Sequence, residues 1–307
     1  MKSYLCFDLG GTYTKYALID LAGNIVTADK YHTGEIIDPE ALLQQFIVRF
    51  VELKKTYHIV GVGFSCHGIV DPQRGCIAFG SPYVKALENY PLVERFKQET
   101  GVELVVIEND VNAAAIGEAV YWQESHYQNY LFLTLGTSIG GAIIINGQLY
   151  RGFNNAAGEF GYLLTNAQDN QQNSGKAQNM LPGAWESYAS AKALLVSYCA
   201  ATQCKEVSIA HFKEQLFNKN PIALQVFEAY LHQVVVGLIS LTHILAPELI
   251  IIGGAISEET FFIKALRQRF QEKVLPFYNE VKIMPAHLGN HAGVQGVAVL
   301  LNKMKVC

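Results

Sequence analysis

The sequence predicts a two-domain α/β fold, and three observations carry that prediction. The chain has 307 residues, too long for one ordinary core and enough for two domains of about 150 each. Apolar, strand-like runs alternate with helical stretches from end to end. A short pattern also recurs. Asp8-Leu9-Gly10-Gly11-Thr12 precedes Ile19-Asp20 and Gly23-Asn24, and Thr134-Leu135-Gly136-Thr137 precedes Ile144-Ile145-Asn146-Gly147. Each copy reads strand, Gly-Thr turn, strand, tight turn, which marks the first strands of two related domains.

The elements follow in order. Residues 4–9, 13–20 and 25–30 read as a β-meander, with the tight turn Ala22-Gly23-Asn24 between the last two. Asp38-Pro39-Glu40 opens a helix running to about Tyr57, with an acidic cap and proline at the first helical position. Residues 59–65 form a strand, and Asp71 to Gly75 a turn between two short strands. Pro91 opens a helix ending near Gly101. Val102 to Ile107 is nearly all apolar, as a strand buried on both faces must be. A helix of small residues runs from Asn112 to Trp122, and a second meander begins at residue 130, with Asn146-Gly147 as its hairpin turn. Residues 165–184 are amide-rich and read as a surface loop. Residues 185–246 are helical, Glu248 to Ile252 a buried strand, 261–274 a helix, and 292–304 a small-residue helix.

Half the residues are hydrophobic and 16% charged, which fits a packed enzyme rather than a disordered chain. The net charge is −4 and no Lys/Arg run occurs, so a nucleic-acid or anionic-lipid surface is not expected. The six cysteines (6, 66, 76, 199, 204, 307) show no C-x-x-C spacing and read as reduced, mostly buried thiols. The start of the chain meets Asp8 too early for a signal peptide. The apolar stretch 234–256 is broken by His243, Pro247 and Glu248, so it reads as a buried helix and strand rather than a membrane span. A cytoplasmic location is expected.

Five segments are able to carry chemistry. Asp8 to Lys15 places glycines after a strand, where free backbone N–H groups and the Thr12 hydroxyl cradle phosphate oxygens and Asp8 supports a Mg²⁺ through water. The plainer reading is a Gly-rich hairpin. Leu135 to Gly141 is a second such loop, and two facing loops would clamp a triphosphate. Glu108-Asn109-Asp110 ends a buried strand, at the edge where α/β sheets bind ligands. Asp110 there is either a proton acceptor for a hydroxyl or simply the cap of the next helix. Ala157 to Tyr162 and Trp185-Glu186 offer carboxylates and rings suited to sugar hydroxyls and faces, or else surface acids and a core aromatic. Leu249 to Ile256 runs into Gly253-Gly254, which lets a flat nucleoside approach the backbone or makes a tight turn.

In this order and spacing, the five segments resemble the ROK family (repressors, open reading frames and kinases) over nearly the whole chain. The resemblance implies a sugar kinase/actin-like ATPase (ribonuclease H-like) fold with an interdomain cleft. It implies a first domain of residues 1–115 plus 290–307 and a second of 116–289. It also implies ATP with Mg²⁺, a sugar or glycoside substrate phosphorylated at a hydroxyl, O6 foremost, and a homodimer. Gly10, Gly11, Thr12 and Lys15 match the first phosphate loop; Gly136, Thr137, Gly140 and Gly141 match the second; Gly253 and Gly254 match the adenosine segment. Asn109 and Asp110 match the sugar-binding residue and catalytic base, Glu159 and Glu186 the sugar-hydroxyl acceptors, and His67-Gly68 the backbone that meets the sugar.

The chain departs from the family pattern in three places. Tyr162 stands where the family's zinc- and sugar-binding histidine is usual, the three-cysteine cluster is replaced by the amide-rich loop, and His67-Gly68 replaces Pro-Gly. No zinc site is therefore expected. Ala157 to Thr165 looks like the zinc-less branch that contains β-glucoside kinases, which makes cellobiose or another β-glucoside the expected substrate and Tyr162 part of its pocket. Glucose and N-acetylmannosamine are the alternatives among kinases, and a non-catalytic sugar sensor is the alternative from another class. The family's repressors carry a winged helix-turn-helix ahead of this region, and a first phosphate-loop strand at residue 4 is expected to leave no room for one.

Overall fold

The computed structural model describes residues 2–80, 82–122, 127–167 and 181–306. Residues 168–180, most of the amide-rich loop, lie outside the described residues. The chain divides into two compact units, one of residues 1–125, 151–156 and 288–307, the other of 126–150 and 157–287.

Unit 1 opens with the meander β1 (Lys2–Leu9), β2 (Tyr13–Asp20) and β3 (Ile25–His32). Helix α1 (Pro39–Lys54) follows, and the Asp38 carboxylate accepts the Glu40 N–H as its cap. Then come β4 (His58–Cys66), the small hairpin β5 (Ile69–Asp71) and β6 (Cys76–Phe79), and α2 (Leu92–Thr100), which ends at left-handed Gly101. Strand β7 (Val105–Asn109) runs straight into α3 (Asp110–Trp122). The sheet order is β3-β2-β1-β4-β7, with β1, β4 and β7 parallel.

Strand alternation explains the apolar run Tyr4-Leu5-Cys6-Phe7 of β1. Leu5, Phe7 and Leu9 face α1 and α2, where Phe7 stacks on Phe64 at 5.5 Å and meets Phe46 at 4.8 Å. Tyr4 and Cys6 face the other way and pack against Val294, Val297 and Leu301.

Unit 2 repeats the plan with β8 (Tyr130–Leu135), β9 (Ile139–Ile145) and β10 (Gln148–Tyr150). Asn146 and Gly147, at φ +53° and +71°, make the mirror-image turn that suits strand twist. The helical stretch resolves into α4 (Glu186–Ala189), α5 (Ala191–Thr202), α6 (Ile209–Phe217) and α7 (Pro221–Leu245). Strand β11 (Leu249–Gly253), α8 (Thr260–Lys273) and β12 (Lys282–Pro285) complete the unit. The sheet order β10-β9-β8-β11-β12 reproduces that of unit 1, strand for strand. Length and hydropathy alone would let α7 cross a bilayer, but Val234, Val235 and Leu238 are fully buried in the unit 2 core and Gly237 lies under the Trp185 ring.

The chain ends in α9 (Ala292–Val306), which returns to unit 1. It meets α3 backbone to backbone. A Cβ on Gly296 would lie 1.7 Å from the Ala113 carbonyl oxygen, and one on Gly117 would lie 2.9 Å from that of Ala292. The glycines and alanines of both helices exist for this approach. Buried Glu118 ties the same junction, accepting the Leu288 N–H at 2.6 Å and the Trp122 indole N–H at 3.2 Å.

Three expectations shift. The helix after β7 begins at Asp110 rather than Asn112. The boundary expected at residue 115 falls within α3, which packs against α9 of unit 1 through Ala113 and Gly117. Strand β12 was not legible in the sequence, being four residues long, at the sheet edge and closed by Pro285. Among the described cysteines, Cys6, Cys66 and Cys76 are buried thiols, while Cys199 and Cys204 are half-buried with their Sγ atoms 2.6 Å apart.

The α3–α9 contact gives the first prediction. Gly296→Val should destabilise the protein by about 3 kcal/mol, since no side chain can give way to a backbone carbonyl. A thermal unfolding midpoint equal to the wild type would contradict the packing described.

Candidate functional site

In unit 1 the candidate groups collect where β1, β4 and β7 end. Asp8 sits near the end of β1, paired in register with Ser65 of parallel β4 and Lys15 of antiparallel β2. Its Oδ1 accepts the Ser65 hydroxyl at 2.7 Å, and its Oδ2 lies 3.7 Å from Lys15 Nζ. Burial pushes the Asp8 carboxyl above the usual range, and the Asp110 charge adds to this, against the pull of Ser65 and Lys15. Gly293 of α9 is the missing wall: a Cβ there would come within 2.9 Å of Asp8 Oδ1. In the following loop the Gly10 N–H donates to the Tyr13 carbonyl at 3.2 Å, leaving Gly11 and Thr12 exposed. Thr33, just after β3, braces that loop by donating its hydroxyl to the Gly10 carbonyl and its N–H to that of Thr12.

Asn109 and Asp110 divide two tasks that the sequence left open. Asn109 is the helix cap, its Oδ1 accepting from the Val111 and Asn112 N–H groups, each at 2.9 Å. Its Nδ2 donates to the Gly68 carbonyl at 2.9 Å and to Asp110 Oδ1 at 3.1 Å. Asp110 is the first helical residue, and its Oδ2 lies 3.6 Å from His67 Nδ1. Gly68 takes φ +104° with the Phe79 carbonyl against its Cα, so a side chain is barred there. Behind them, Glu108 is fully buried and held by both Arg151 guanidinium N–H groups.

In unit 2 the loop between β8 and β9 is shorter than expected, comprising Gly136, Thr137 and Ser138, with Thr137 and Ser138 exposed. Gly140 and Gly141 lie within β9 rather than in the loop. Gly140 donates its N–H to Thr134 Oγ1 at 3.3 Å. Gly141 is glycine for packing, since a Cβ there would meet the Phe160 ring at 2.1 Å and the Gly158 carbonyl at 2.6 Å. Gly254, at φ +105°, presses on the Leu135 carbonyl, which places the Gly253-Gly254 turn beside the start of the Gly136 loop.

Two carboxylates of unit 2, Glu159 and Glu186, lie near Tyr162. Glu186 opens α4 and is buried, its Oε2 accepting the Ile139 N–H at 3.4 Å. Burial raises its pKa, against that hydrogen bond. Partial burial raises the Tyr162 phenol, and the charges of Glu186 and Glu159 raise it further. Trp185 is a core residue with no exposed surface, donating its indole N–H to the Gln233 carbonyl. It is unable to stack on a ligand.

The profile of the ROK family spans residues 4–304. The chain belongs to the ROK family. Relatives include a glucokinase of Streptomyces coelicolor, 29% identical over 95% of each chain. A β-glucoside kinase of Listeria innocua is 29% identical over 94% of each. A xylose repressor of Bacillus spizizenii is 29% identical over 96% of this chain and 75% of its own length. Among solved structures, a ROK family glucokinase from Streptomyces griseus, in complex with glucose and AMPPNP, aligns at TM-score 0.81 and 26% identity, covering 97% of this chain and 98% of that one. The two repeated sheets are those of the two-domain sugar kinase/actin-like ATPase fold shared by ROK sugar kinases.

Sequence reading of this ROK chain missed Ser65, Gly293 and the Glu108–Arg151 pair. Ser65 and Gly293 come from elements far from Asp8 in sequence, so only register and packing reveal them. Glu108 carried a signal, since a carboxylate on the interior face of a buried strand demands a counter-charge.

Glu186 yields a pH prediction. Its folded-state pKa lies above the ordinary glutamate value of about 4.3. Across that interval the folded protein binds the proton more tightly than the unfolded chain, so stability falls as pH rises through it. Glu186→Gln removes the ionised form, and should raise the unfolding midpoint more at pH ~8 than at pH ~4. An equal or larger gain at the acidic pH would show that the carboxylate is not strained by burial.

Proposed function

We propose that this protein is an ATP-dependent sugar kinase. The observation that carries the reading is the division of labour at the end of β7: Asn109 caps α3, and Asp110, whose Oδ1 shares the Val111 N–H at 3.0 Å, keeps Oδ2 turned toward His67. A carboxylate so placed takes the proton of an attacking hydroxyl. Relatives that are glucokinases and β-glucoside kinases support the same chemistry.

In this reading Gly11 and Thr12 of unit 1 and Thr137 of unit 2 take phosphate oxygens through backbone N–H groups and hydroxyls, while Gly10 and Gly136, whose N–H groups donate to the Tyr13 and Ser138 carbonyls, shape the two loops. Gly253-Gly254 receives the adenosine, while Gly140 and Gly141 serve the loop indirectly, from within β9. Asn109, Glu159 and Glu186 hold sugar hydroxyls, joined by the His67-Gly68 turn and Tyr162. The donor set at Asp8 fits Mg²⁺ held through water: it is an oxygen ligand, partly buried, near a second carboxylate, and opposed by one lysine at 3.7 Å. When bound, the ion neutralises phosphate charge. Asp110 accepts the hydroxyl proton as the oxygen attacks phosphorus, and positioning supplies most of the rate.

The proposed substrate is a β-glucoside such as cellobiose, phosphorylated at O6, with glucose and N-acetylmannosamine the competing acceptors. Tyr162, 48% exposed beside Glu159 and Glu186, supports a pocket remodelled for a glycoside. The protein is proposed to act in the cytoplasm, without zinc, as a homodimer. Phe277 and Ile244, 89% and 70% exposed on unit 2, support self-association. The repressor relative favours a second reading, a sugar sensor without turnover.

Three measurements decide between these. ADP release from ATP and Mg²⁺ should depend on sugar and be greatest with cellobiose or an aryl β-glucoside; ATP binding with no turnover on any sugar would select the sensor. Asp110→Asn should lower turnover by about 10²–10⁴-fold while ATP binding stays near wild type. A variant keeping more than about a tenth of the activity would remove Asp110 from the base role. Elemental analysis should find no stoichiometric zinc.

A further inference from the structure

Glu108 is the fourth residue of β7, and strand alternation turns it to the same face as Val106, toward α3 and α9. A carboxylate with no exposed surface is costly there unless it is paired. The Arg151 guanidinium supplies the pairing through two N–H groups, Nη1 on Oε1 at 3.0 Å and Nη2 on Oε2 at 2.5 Å.

The same carboxylate holds the turn that follows. Its Oε1 also accepts the Asn109 backbone N–H at 2.9 Å and the Asn112 side-chain N–H at 3.1 Å. Asn109 in turn fixes the Gly68 carbonyl and Asp110 Oδ1. One chain of hydrogen bonds therefore runs from Arg151 through Glu108 and Asn109 to Asp110. Arg151 stands immediately after β10, in the segment 151–156, which belongs to unit 1 although the residues on either side of it belong to unit 2. Eight residues later comes Glu159.

We propose that Arg151, acting through Glu108, is a positioning residue for Asn109 and Asp110. Its planar fork sets the plane of the Glu108 carboxylate, and that plane sets the direction of the Asn109 peptide. Charge alone does not suffice, because a lysine ammonium makes no parallel pair of N–H bonds. The inference rests on the kinase reading only for its readout in turnover.

The test uses Arg151→Met, Arg151→Lys and the double variant Glu108→Gln/Arg151→Met in the full-length protein. Thermal midpoint, kcat, KM for ATP and sugar, and hydrogen exchange of the Asn109, Val111 and Asn112 amides are measured for each. Arg151→Met should lower the midpoint, since it strands a buried carboxylate. The double variant has no buried charge and should recover the midpoint. Its kcat should still fall about 10–100-fold, with KM for ATP within about twofold of wild type and faster exchange at the three amides. Arg151→Lys should fall between wild type and the double variant in kcat. A double variant with recovered midpoint, wild-type kcat and wild-type exchange would make the pair purely structural and overturn the proposal, and so would Arg151→Lys with wild-type kcat. If the wild type turns over no sugar, the kinase reading fails instead. Exchange at the three amides then decides positioning: faster in the double variant upholds it, and unchanged overturns it.

Discussion

Parallel pairing of β1 with β4 and of β4 with β7 brings three strand ends to one edge of the unit 1 sheet, and the candidate chemistry depends on that coincidence. Asp8, Ser65 with His67, and Asn109 with Asp110 come from three separate segments, yet each residue is at or beside a strand terminus. Apolar residues fill most of both faces of the central strands up to that edge, where Asp8, Ser65 and Asn109 then appear. In unit 2 the ends of β8 and β11 repeat the arrangement, with Gly254 pressed on Leu135. A ligand-facing edge is thus a result of strand direction, and the individual residues only decorate it.

The polar groups at this edge are held at some cost in stability. Asp8 and Glu186 both have burial-raised pKa values, which records carboxylates kept in surroundings that disfavour their charge. Structural carboxylates in the same molecule are treated differently. Glu118 has two N–H donors, and Glu40 is held by Arg95 and Tyr90, which lower its pKa. The contrast agrees with the roles proposed for Asp8 and Glu186, since groups meant to meet a ligand are left without the full pairing that structural carboxylates receive.

Much of this was readable from the chain. Asp38-Pro39, Gly101 and Asn146-Gly147 specify local backbone geometry with no help from tertiary contacts, and each appears where the local signal put it. The repeated strand–turn–strand pattern anticipated two sheets of identical order. What escaped was non-local. Gly141 looked like part of a loop because glycine marks both turns and close approaches, and only the Phe160 ring above it distinguishes the two. Asp110 looked like a cap because Asn109, its equally suitable neighbour, has the same local signature. Arg151 carried no local signal, because its partner Glu108 comes from β7, 43 residues away.

The return of α9 to unit 1 has a consequence for how the chain is born. Translation delivers the first three strands early, but the surface formed by Tyr4, Cys6 and Ala113 has no cover until residues 292–306 leave the ribosome. Unit 2 is encoded almost without interruption between residues 126 and 287, and can therefore finish first. The earlier-made part of unit 1 must wait, part-built, for α9, reversing the usual order in which domains mature during synthesis.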